Sequence, residues 1–476
     1  MKWVWMAFLL ICSFVPLLVL GWLISLPGTL GLYIWVGDYD LLFILLVALG
    51  VITLLLTGAT FFAMQKDSSG LKTLQVFTSG FAVVGLLYGL GLLAYVLVNS
   101  LPLLANTPPL LLIADGSGAN GVPNLALTFR SEKPTQHTLN YGVEALDQSI
   151  SENKPTQEHV MMLRDLLPAT RYQWQLNDGD LHSFFTPAIK QEGEKPLLKL
   201  GVSGDAHIGV DLDPNDPYRR AGDENVPRSI LAYAAKPKNE YNAFYILGDL
   251  VHLGMNNNHW RKALDIISTP SLDLPLRPLF GNHDALINGV PRFEAYVYPS
   301  ALEKQKGSSL YYRNDIGKVH IITLSVPWSS AESFDEKQKQ WLIKQLDSIP
   351  RDEWRIVMLH SMIYSSGDVE YGLPWYDPPD MVNNLAPILE KYKVNLVLSG
   401  HNHFMDYLEK KGVTYVVIGT FGGSLSPIDH ISSFSKWRQN RTHGFVDVLV
   451  YENKIDLVFR DANTEVLKVF LIEKKK

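Results

Sequence analysis

The sequence predicts an α/β domain from about residue 189 to the end of the chain, with a small β-sandwich over 107–188 and an all-α apolar region over 1–106 ahead of it. Three observations carry this. Beyond residue 196, short apolar runs each stop at a polar turn, and stretches of helical periodicity lie between them. Between 107 and 187 the strand-like runs are shorter and follow one another without helices. The first hundred residues hold three long runs with no charged residue inside them.

Bulk composition narrows the function. At 476 residues the chain is long enough for several domains. A net charge of −6 argues against an electrostatic footprint for nucleic acid. Cys12 is the single cysteine, so a disulfide framework and a thiolate metal cluster are both excluded within one chain. Any metal site must be built from His, Asp, Glu and Asn.

The three apolar runs cover about 3–26, 41–64 and 73–98, each beyond the ~20 residues a helix needs to cross a bilayer. The first is too long for the ~7–15-residue core of a signal peptide, and two more follow it. Three transmembrane helices are therefore expected. Lys2, Lys66 and Lys72 flank them on one side and Asp38 and Asp40 on the other. Positive residues stay inside, which puts the amino terminus in the cytoplasm and everything beyond about residue 100 outside. The spans hold no ionisable residue, so transport or a proton relay within them is not expected. They read as an anchor in a lipid bilayer.

In the middle segment, 125–129, 138–141, 160–163 and 172–176 are strand-like, with turns at Gly116-Ser117-Gly118, Pro134 and Asn177-Asp178-Gly179. His137, His159 and His182 read as packing or surface residues. Residues 190–196 are charged and read as a linker.

Five apolar runs follow. Residues 197–203 end in Gly204-Asp205-Ala206-His207, 242–247 in Gly248-Asp249-Leu250-Val251-His252, 276–280 in Gly281-Asn282-His283-Asp284, 355–359 in His360-Ser361, and 395–399 in Gly400-His401-Asn402-His403. Helices are expected over 260–267, 336–346 and 380–392. In α/β sheets, sites assemble at the carboxyl ends of strands. One polar turn is ordinary; five His/Asp/Asn turns after five strands indicate a shared site. The donors are nitrogen and oxygen, which suits Zn, Mn or Fe. They outnumber what one structural ion needs. Two cations ~3.5–4 Å apart can activate water and clamp the oxygens of a phosphoryl group.

Taken in order, Asp-x-His, Gly-Asp-x-x, Gly-Asn-His-Asp, a strand-end His and Gly-His-x-His resemble the calcineurin-like metallophosphoesterase superfamily over about 197–473. The sandwich segment, with Leu166-Leu167-Pro168-Ala169-Thr170-Arg171-Tyr172 and Ser183-Phe184-Phe185-Thr186-Pro187, resembles the fibronectin type III-like domain of purple acid phosphatases. Ile418-Gly419-Thr420-Phe421-Gly422-Gly423, and Gln338 with Trp341-Leu342, add to that likeness.

The resemblance implies a four-layer α/β/β/α sandwich and a metal-dependent hydrolase of phosphomonoesters or phosphodiesters. It assigns Asp205, His207 and His403 to one metal, Asn282, His360 and His401 to a second, and Asp249 to both. His283 would face the substrate and protonate the leaving group, with Asp284 orienting its imidazole. The implied cofactors are two divalent or trivalent ions, Fe, Mn or Zn. One position departs from the purple enzymes. Where they carry an iron-ligating tyrosine this chain has His252, which puts a purple di-iron centre in doubt and leaves His252 as either an extra ligand or a neighbour of the ligands. His259 is expected in a loop over the cleft, and His430 and His443 are further candidates to reach substrate.

The competing class is a non-catalytic membrane receptor or adhesion protein, disfavoured because no matched ligand is missing. Substrate choice rests with the loops 211–223, 256–260, 325–334, 364–379 and 425–441, where Tyr371, Trp375 and Tyr376 could stack on a ring. A bacterial cytoplasmic membrane, with the enzyme facing outward, is the expected setting.

Overall fold

The computed structural model describes residues 2–25, 37–66, 71–100, 102–209, 223–286, 289–298, 310–370 and 373–474. The chain forms two compact units, one of which is built mainly from the first 103 residues.

In that unit Lys2–Ser25 (α1), Gly37–Lys66 (α2) and Leu71–Ser100 (α3) are helical. Their shared interior is small. Leu9, Cys12 and Ala82 are buried, with Trp5, Phe61 and Leu86 against them. The hydroxyls of Thr60 and Thr78 meet at 2.9 Å. Much of the rest of the apolar surface faces outward: Val76 is 73% exposed, Leu55 68% and Leu87 64%.

Three spanning helices were expected. Among the described residues one window, Leu74–Gly91 in α3, is long and apolar enough by length and composition. The apolar stretches Ala7–Val19 and Val47–Phe62 are shorter. Threonines dilute α2: Thr53, Thr57 and Thr60 each return their hydroxyl to the carbonyl four residues back. The residues between these helices, 26–36 and 67–70, lie outside the described residues.

The second unit begins with seven strands: Thr107–Ser117 (β1), Pro123–Thr135 (β2), Thr138–Gly142 (β3), Gln148–Ser151 (β4), Thr156–Leu163 (β5), Arg171–Leu176 (β6) and His182–Phe185 (β7). β1, β2 and β5 form one layer and β4-β3-β6-β7 the other. Leu127, Leu139, Met161, Tyr172, Trp174 and Phe184 are buried in the core they share. The Tyr172 hydroxyl accepts a hydrogen bond from the Leu167 amide at 3.0 Å. β1 and β4 go beyond the strands expected from the apolar runs.

Alternating elements follow: Leu198–Ser203 (β8), Asn225–Ala234 (α4), Ala243–Ile246 (β9), Asn257–Ser271 (α5), Leu276–Pro278 (β10), Asn282–Ala285 (α6), Val290–Tyr296 (α7), Tyr312–Ile316 (β11), Val319–Thr323 (β12), Glu336–Asp347 (α8) and Trp354–Met358 (β13). Then come Val369–Glu370 (β14), Leu373–Pro374 (β15), Pro379–Asn384 (α9), Ala386–Lys391 (α10), Leu396–Ser399 (β16), Met405–Lys410 (β17), Val413–Ile418 (β18), Ser435–Gln439 (β19), Gly444–Val450 (β20), Lys454–Asp461 (β21) and Val466–Glu473 (β22). The expected helix over 380–392 is two helices that meet at Leu385.

Two sheets face each other. One runs β22-β21-β20-β8-β9-β10-β1-β2-β5, so three sandwich strands continue it; the other runs β11-β12-β13-β16-β18-β17-β19. Neighbouring residues of the second sheet divide between two cores. Ile321, Ile356, Leu396 and Val416 face the first sheet. Ile322, Val357, Val397 and Val417 pack with Leu342, Leu346, Met381 and Leu389 of α8, α9 and α10. On the outer face of the first sheet, Tyr233 of α4 meets Phe445 of β20. This is the α/β architecture expected from the alternating runs.

At the seam between sandwich and catalytic strands, β1 pairs in parallel with β10. Asp115 and Arg277 form a fully buried pair at 2.7 Å, and the Tyr298 hydroxyl donates to Asp115 at 2.6 Å. Arg277 also donates to Ile113 O, and its guanidinium lies over the Tyr298 and Tyr312 rings; removing one member of such a buried pair leaves the other charge uncompensated.

Candidate metal centre

Each of the five polar turns follows a strand of the two facing sheets. β8 and β9 lie side by side in parallel, and the turns beyond them stay paired. The Asp205 amide donates to Gly248 O, that of His207 to Asp249 O, that of Ile208 to Leu250 O, and that of His252 back to Ile208 O, all at 3.0–3.1 Å. Asp205, His207, Asp249 and His401 have positive φ, between 47° and 70°. Such conformations cost of order 1–3 kcal/mol each and persist where the surroundings over-determine them. Glycines make the close approach possible. At Gly248, φ is +94° and a Cβ would lie 2.5 Å from His360 Nδ1; at Gly281 a Cβ would collide with the Asp249 carboxylate.

The donors converge on two points that share one oxygen. Around the first, Asp205 Oδ1 lies 3.4 Å from His403 Nε2 and 3.9 Å from His207 Nε2. Around the second, Asn282 Oδ1 lies 2.8 Å from His360 Nε2 and 3.0 Å from His401 Nδ1. Asp249 Oδ2 belongs to both, at 3.4 Å from His207 Nε2 and 3.3 Å from His360 Nε2. Ligand atoms of Asp205, His207 and His403, and of Asp249, His360 and His401, fall within 4.8 Å of one another. His207 Nε2 is buried with no hydrogen-bond partner. An unpaired buried nitrogen aimed at two carboxylates fits a cation between them.

The opposite ring nitrogens are held by backbone. His360 Nδ1 donates to Leu247 O at 2.7 Å and His403 Nδ1 to Ser424 O at 2.6 Å. That is the usual outer support of a ligating imidazole, fixing its tautomer. These carbonyls left no mark in the sequence, because any residue supplies one. Asn402 donates to Ser365 Oγ, Ser366 O and Trp375 O, which ties the 365–375 segment to the turn carrying His401 and His403.

Charge follows geometry. Burial alone pushes the Asp205 and Asp249 carboxyls up, but the surrounding imidazoles hold both below the usual carboxylate range. Burial lowers His207 to about 4, with His283 adding, and lowers His401 to about 3, with His360 adding. His360 resists its own burial because Asp249 is beside it, and is raised to about 9. Without cations the cluster combines anionic carboxylates with imidazoles of two kinds: burial holds His207 and His401 neutral, whereas Asp249 and Asp205 raise His360 and His403 against their burial, so a cation would displace protons there.

His283 stands at the edge of this group. Its amide donates to Asp249 Oδ1 at 2.8 Å and its Nδ1 to His252 O at 2.7 Å. Nε2 is then the nitrogen left for another task. The expected partner of that ring, Asp284, is elsewhere. Its two oxygens accept from the Val251 and Gly281 amides, each at 3.1 Å. α6 is a single helical turn, and consecutive residues of a helix do not face each other, so Asp284 points back into the protein. Burial and the Asp249 charge raise it to about 8. It braces the turn, and the His252 carbonyl orients His283.

His252 is nearly buried, its Nδ1 3.3 Å from His207 Nδ1. Burial, then His283, hold it well below the usual imidazole range. His259 is in the first turn of α5 rather than in a loop. His443 Nε2 lies 2.8 Å from Gly423 O. The Tyr376 and His430 rings stack at 3.8 Å, and Trp375 stacks on His401 at 5.4 Å. Gln338 is taken up bonding the backbone of Ser325 and Ser333. Tyr371 and 211–222 lie outside the described residues.

Two facing sheets with His, Asp and Asn gathered at strand ends define a metallophosphoesterase-like fold, and residues 198–405 match the calcineurin-like phosphoesterase family. The chain carries a calcineurin-like phosphoesterase domain and is a phosphoester hydrolase. Among curated proteins it is similar to tartrate-resistant acid phosphatase type 5. The mouse protein is 26% identical over 260 residues, covering 49% of this chain and 74% of its own length. The pig protein is 25% identical, covering 49% and 72%. Among solved structures, the purple acid phosphatase PPD1 from yellow lupin seeds superposes with a TM-score of 0.61 at 16% identity, covering 77% of this chain and 74% of that one, which speaks to the fold.

Proposed function

We propose that this chain is a membrane-anchored phosphoesterase with a dinuclear metal centre, acting on phosphomonoesters or phosphodiesters outside the cytoplasm. The observation that carries the centre is Asp249 Oδ2, shared between two converging donor sets. Asp205, His207 and His403 would hold one cation and Asn282, His360 and His401 the other, with Asp249 serving both sets. Bound there, two metals would supply Lewis-acid neutralisation of the phosphoryl charge and an activated water at neutral pH. The protein's own contribution is position. Fixed tautomers at His360 and His403 aim their Nε2 atoms inward. His283, with Nδ1 committed to His252 O, keeps Nε2 for the leaving oxygen and delivers a proton there.

Anchoring is supported by the apolar outward faces of α1–α3 and by the Leu74–Gly91 window. The layer orders of β1–β7 and the Tyr172 hydroxyl bond support a fibronectin type III-like reading of 107–188.

The test uses the full chain in detergent, with metal content measured before activity. About two Fe, Mn or Zn per chain and turnover of p-nitrophenyl phosphate are expected. His283→Ala should keep the metals and lose about 10²–10⁴-fold in kcat. The loss should be larger on an alkyl phosphate, whose leaving group needs the proton more. Full activity of His283→Ala on the alkyl ester would remove His283 as the acid, and fewer than one metal per chain would remove the centre.

A further inference from the structure

His252 has no role in the reading above beyond its backbone carbonyl, yet its side chain is nearly buried against the centre. The ring nitrogens of His207, His252 and His283 form a third group whose ligand atoms lie within 4.8 Å of one another. The 3.3 Å contact between His207 Nδ1 and His252 Nδ1 is the informative one. Of two facing imidazole nitrogens, one must carry the proton and the other must accept it. His207 Nε2, unpartnered and aimed at Asp205 and Asp249, is the nitrogen that would meet a cation. A ligating Nε2 has its lone pair engaged, so the proton of His207 sits on Nδ1 and points at His252.

We propose that His252 is a positioning residue for the first metal: its Nδ1 accepts the Nδ1–H of His207 and so holds His207 in the tautomer and orientation that present Nε2 to the cation. This rests on the dinuclear reading. His360 and His403 obtain the same support from carbonyls of Leu247 and Ser424. His207 obtains it from a side chain, and is therefore the member of this set whose support a substitution can remove. The backbone has built the contact in advance. The paired turns, with His207 N bonded to Asp249 O and His252 N to Ile208 O, bring the two rings together whatever fills the site. The same residue's carbonyl fixes His283, so His252 supports a ligand through its ring and the proposed acid through its backbone.

Shape and hydrogen bonding can be separated here. His252→Phe keeps a flat ring of similar size and removes the acceptor. His252→Asn removes the ring but leaves Oδ1 where Nδ1 stood. Metal-stripped full-length protein in detergent is titrated with Zn²⁺ against a chromogenic chelator, and thermal unfolding of each stripped variant is followed in parallel. Wild type should take up two equivalents. His252→Phe should keep one tight site and weaken the other by about 10–100-fold, the range for lost outer-shell partners. His252→Asn should stay within a few-fold of wild type at both. Two unchanged sites in His252→Phe, or a greater loss in His252→Asn than in His252→Phe, would overturn the positioning role. Fewer than two equivalents in wild type would instead remove the dinuclear reading on which it rests.

Discussion

In the sandwich, His159 gives both ring nitrogens to partners, Nδ1 at 2.8 Å from Glu152 and Nε2 at 2.8 Å from Ser131. His137 does the same with Asn177 and Thr135. The two rings meet edge to face, and Phe129 stacks on His159. At the strand ends beyond β8 and β9, His207 keeps Nε2 unpaired, and two carboxylates crowd toward it. Both regions bring histidine rings together, and His159 is as fully buried as His360. One closes its polar groups on itself; the other leaves His207 Nε2 open. Histidine count and burial do not separate a structural cluster from a ligand set. What separates them is an unpaired buried nitrogen with carboxylates converging on it.

The contrast is sharpest at Asp249. Asp249→Asn removes the shared anionic oxygen, and hydrolysis of p-nitrophenyl phosphate should fall by at least about 10³-fold, or ~4 kcal/mol of barrier. Metal analysis of the same sample should show less than the wild-type content. Retention of both metals and activity would make the shared oxygen incidental.

A smaller effect concerns pH in the metal-stripped protein. His207 and His401, lowered to about 4 and about 3, stay neutral when folded but charge when unfolded near the ordinary 6.5. They remove stability as pH falls from about 6.5 toward 4. Asp284, raised to about 8, holds a proton that the unfolded chain has lost above about 4, and offsets one of the two over that range. Above 6.5, His360 and Asp284 hold protons that the unfolded chain lacks, so stability falls again toward pH 9. Urea midpoints at pH 5, 6.5 and 8.5 should peak at the middle value, and a monotonic series would contradict these shifts. Zn²⁺ binding at pH 7 should displace protons held by His360 and His403, readable by calorimetry in two buffers of different ionisation enthalpy.

The least effect on catalysis belongs to the closed cluster. His159→Ala leaves Glu152 without its buried partner and should cost about 1–3 kcal/mol of stability. Metal uptake and kcat should stay at wild-type values. A lost metal in His159→Ala would erase the distinction between the two regions.

Much of the site was legible in the sequence because strand termination is local. An apolar run that stops at Gly-Asp or Gly-His announces both the strand and the residues at its end, and Asp205, His207, Asp249, Asn282, His360, His401 and His403 all came together as the five turns implied. Three kinds of feature were not legible. Backbone acceptors such as Leu247 O and Ser424 O carry no residue signature. Side-chain direction within a tight turn is not given by adjacency, which is why Asp284 turned away from His283. Long-range pairing was hidden as well: nothing local in 107–117 says that β1 will lie beside β10.

That last class has a consequence for biosynthesis. β8, which leads to Asp205, lies between β9 and β20, and Val202 pairs with Val446. A nascent chain that has reached His403 already contains every proposed ligand, yet β8 still presents a bare apolar edge. Only when residues 444–450 emerge can that edge be covered. Unpaired edges of this kind invite association with other chains. Removing the carboxyl-terminal segment from residue 444 onward, which carries no proposed ligand, should therefore send the protein to aggregates before it reaches a folded state.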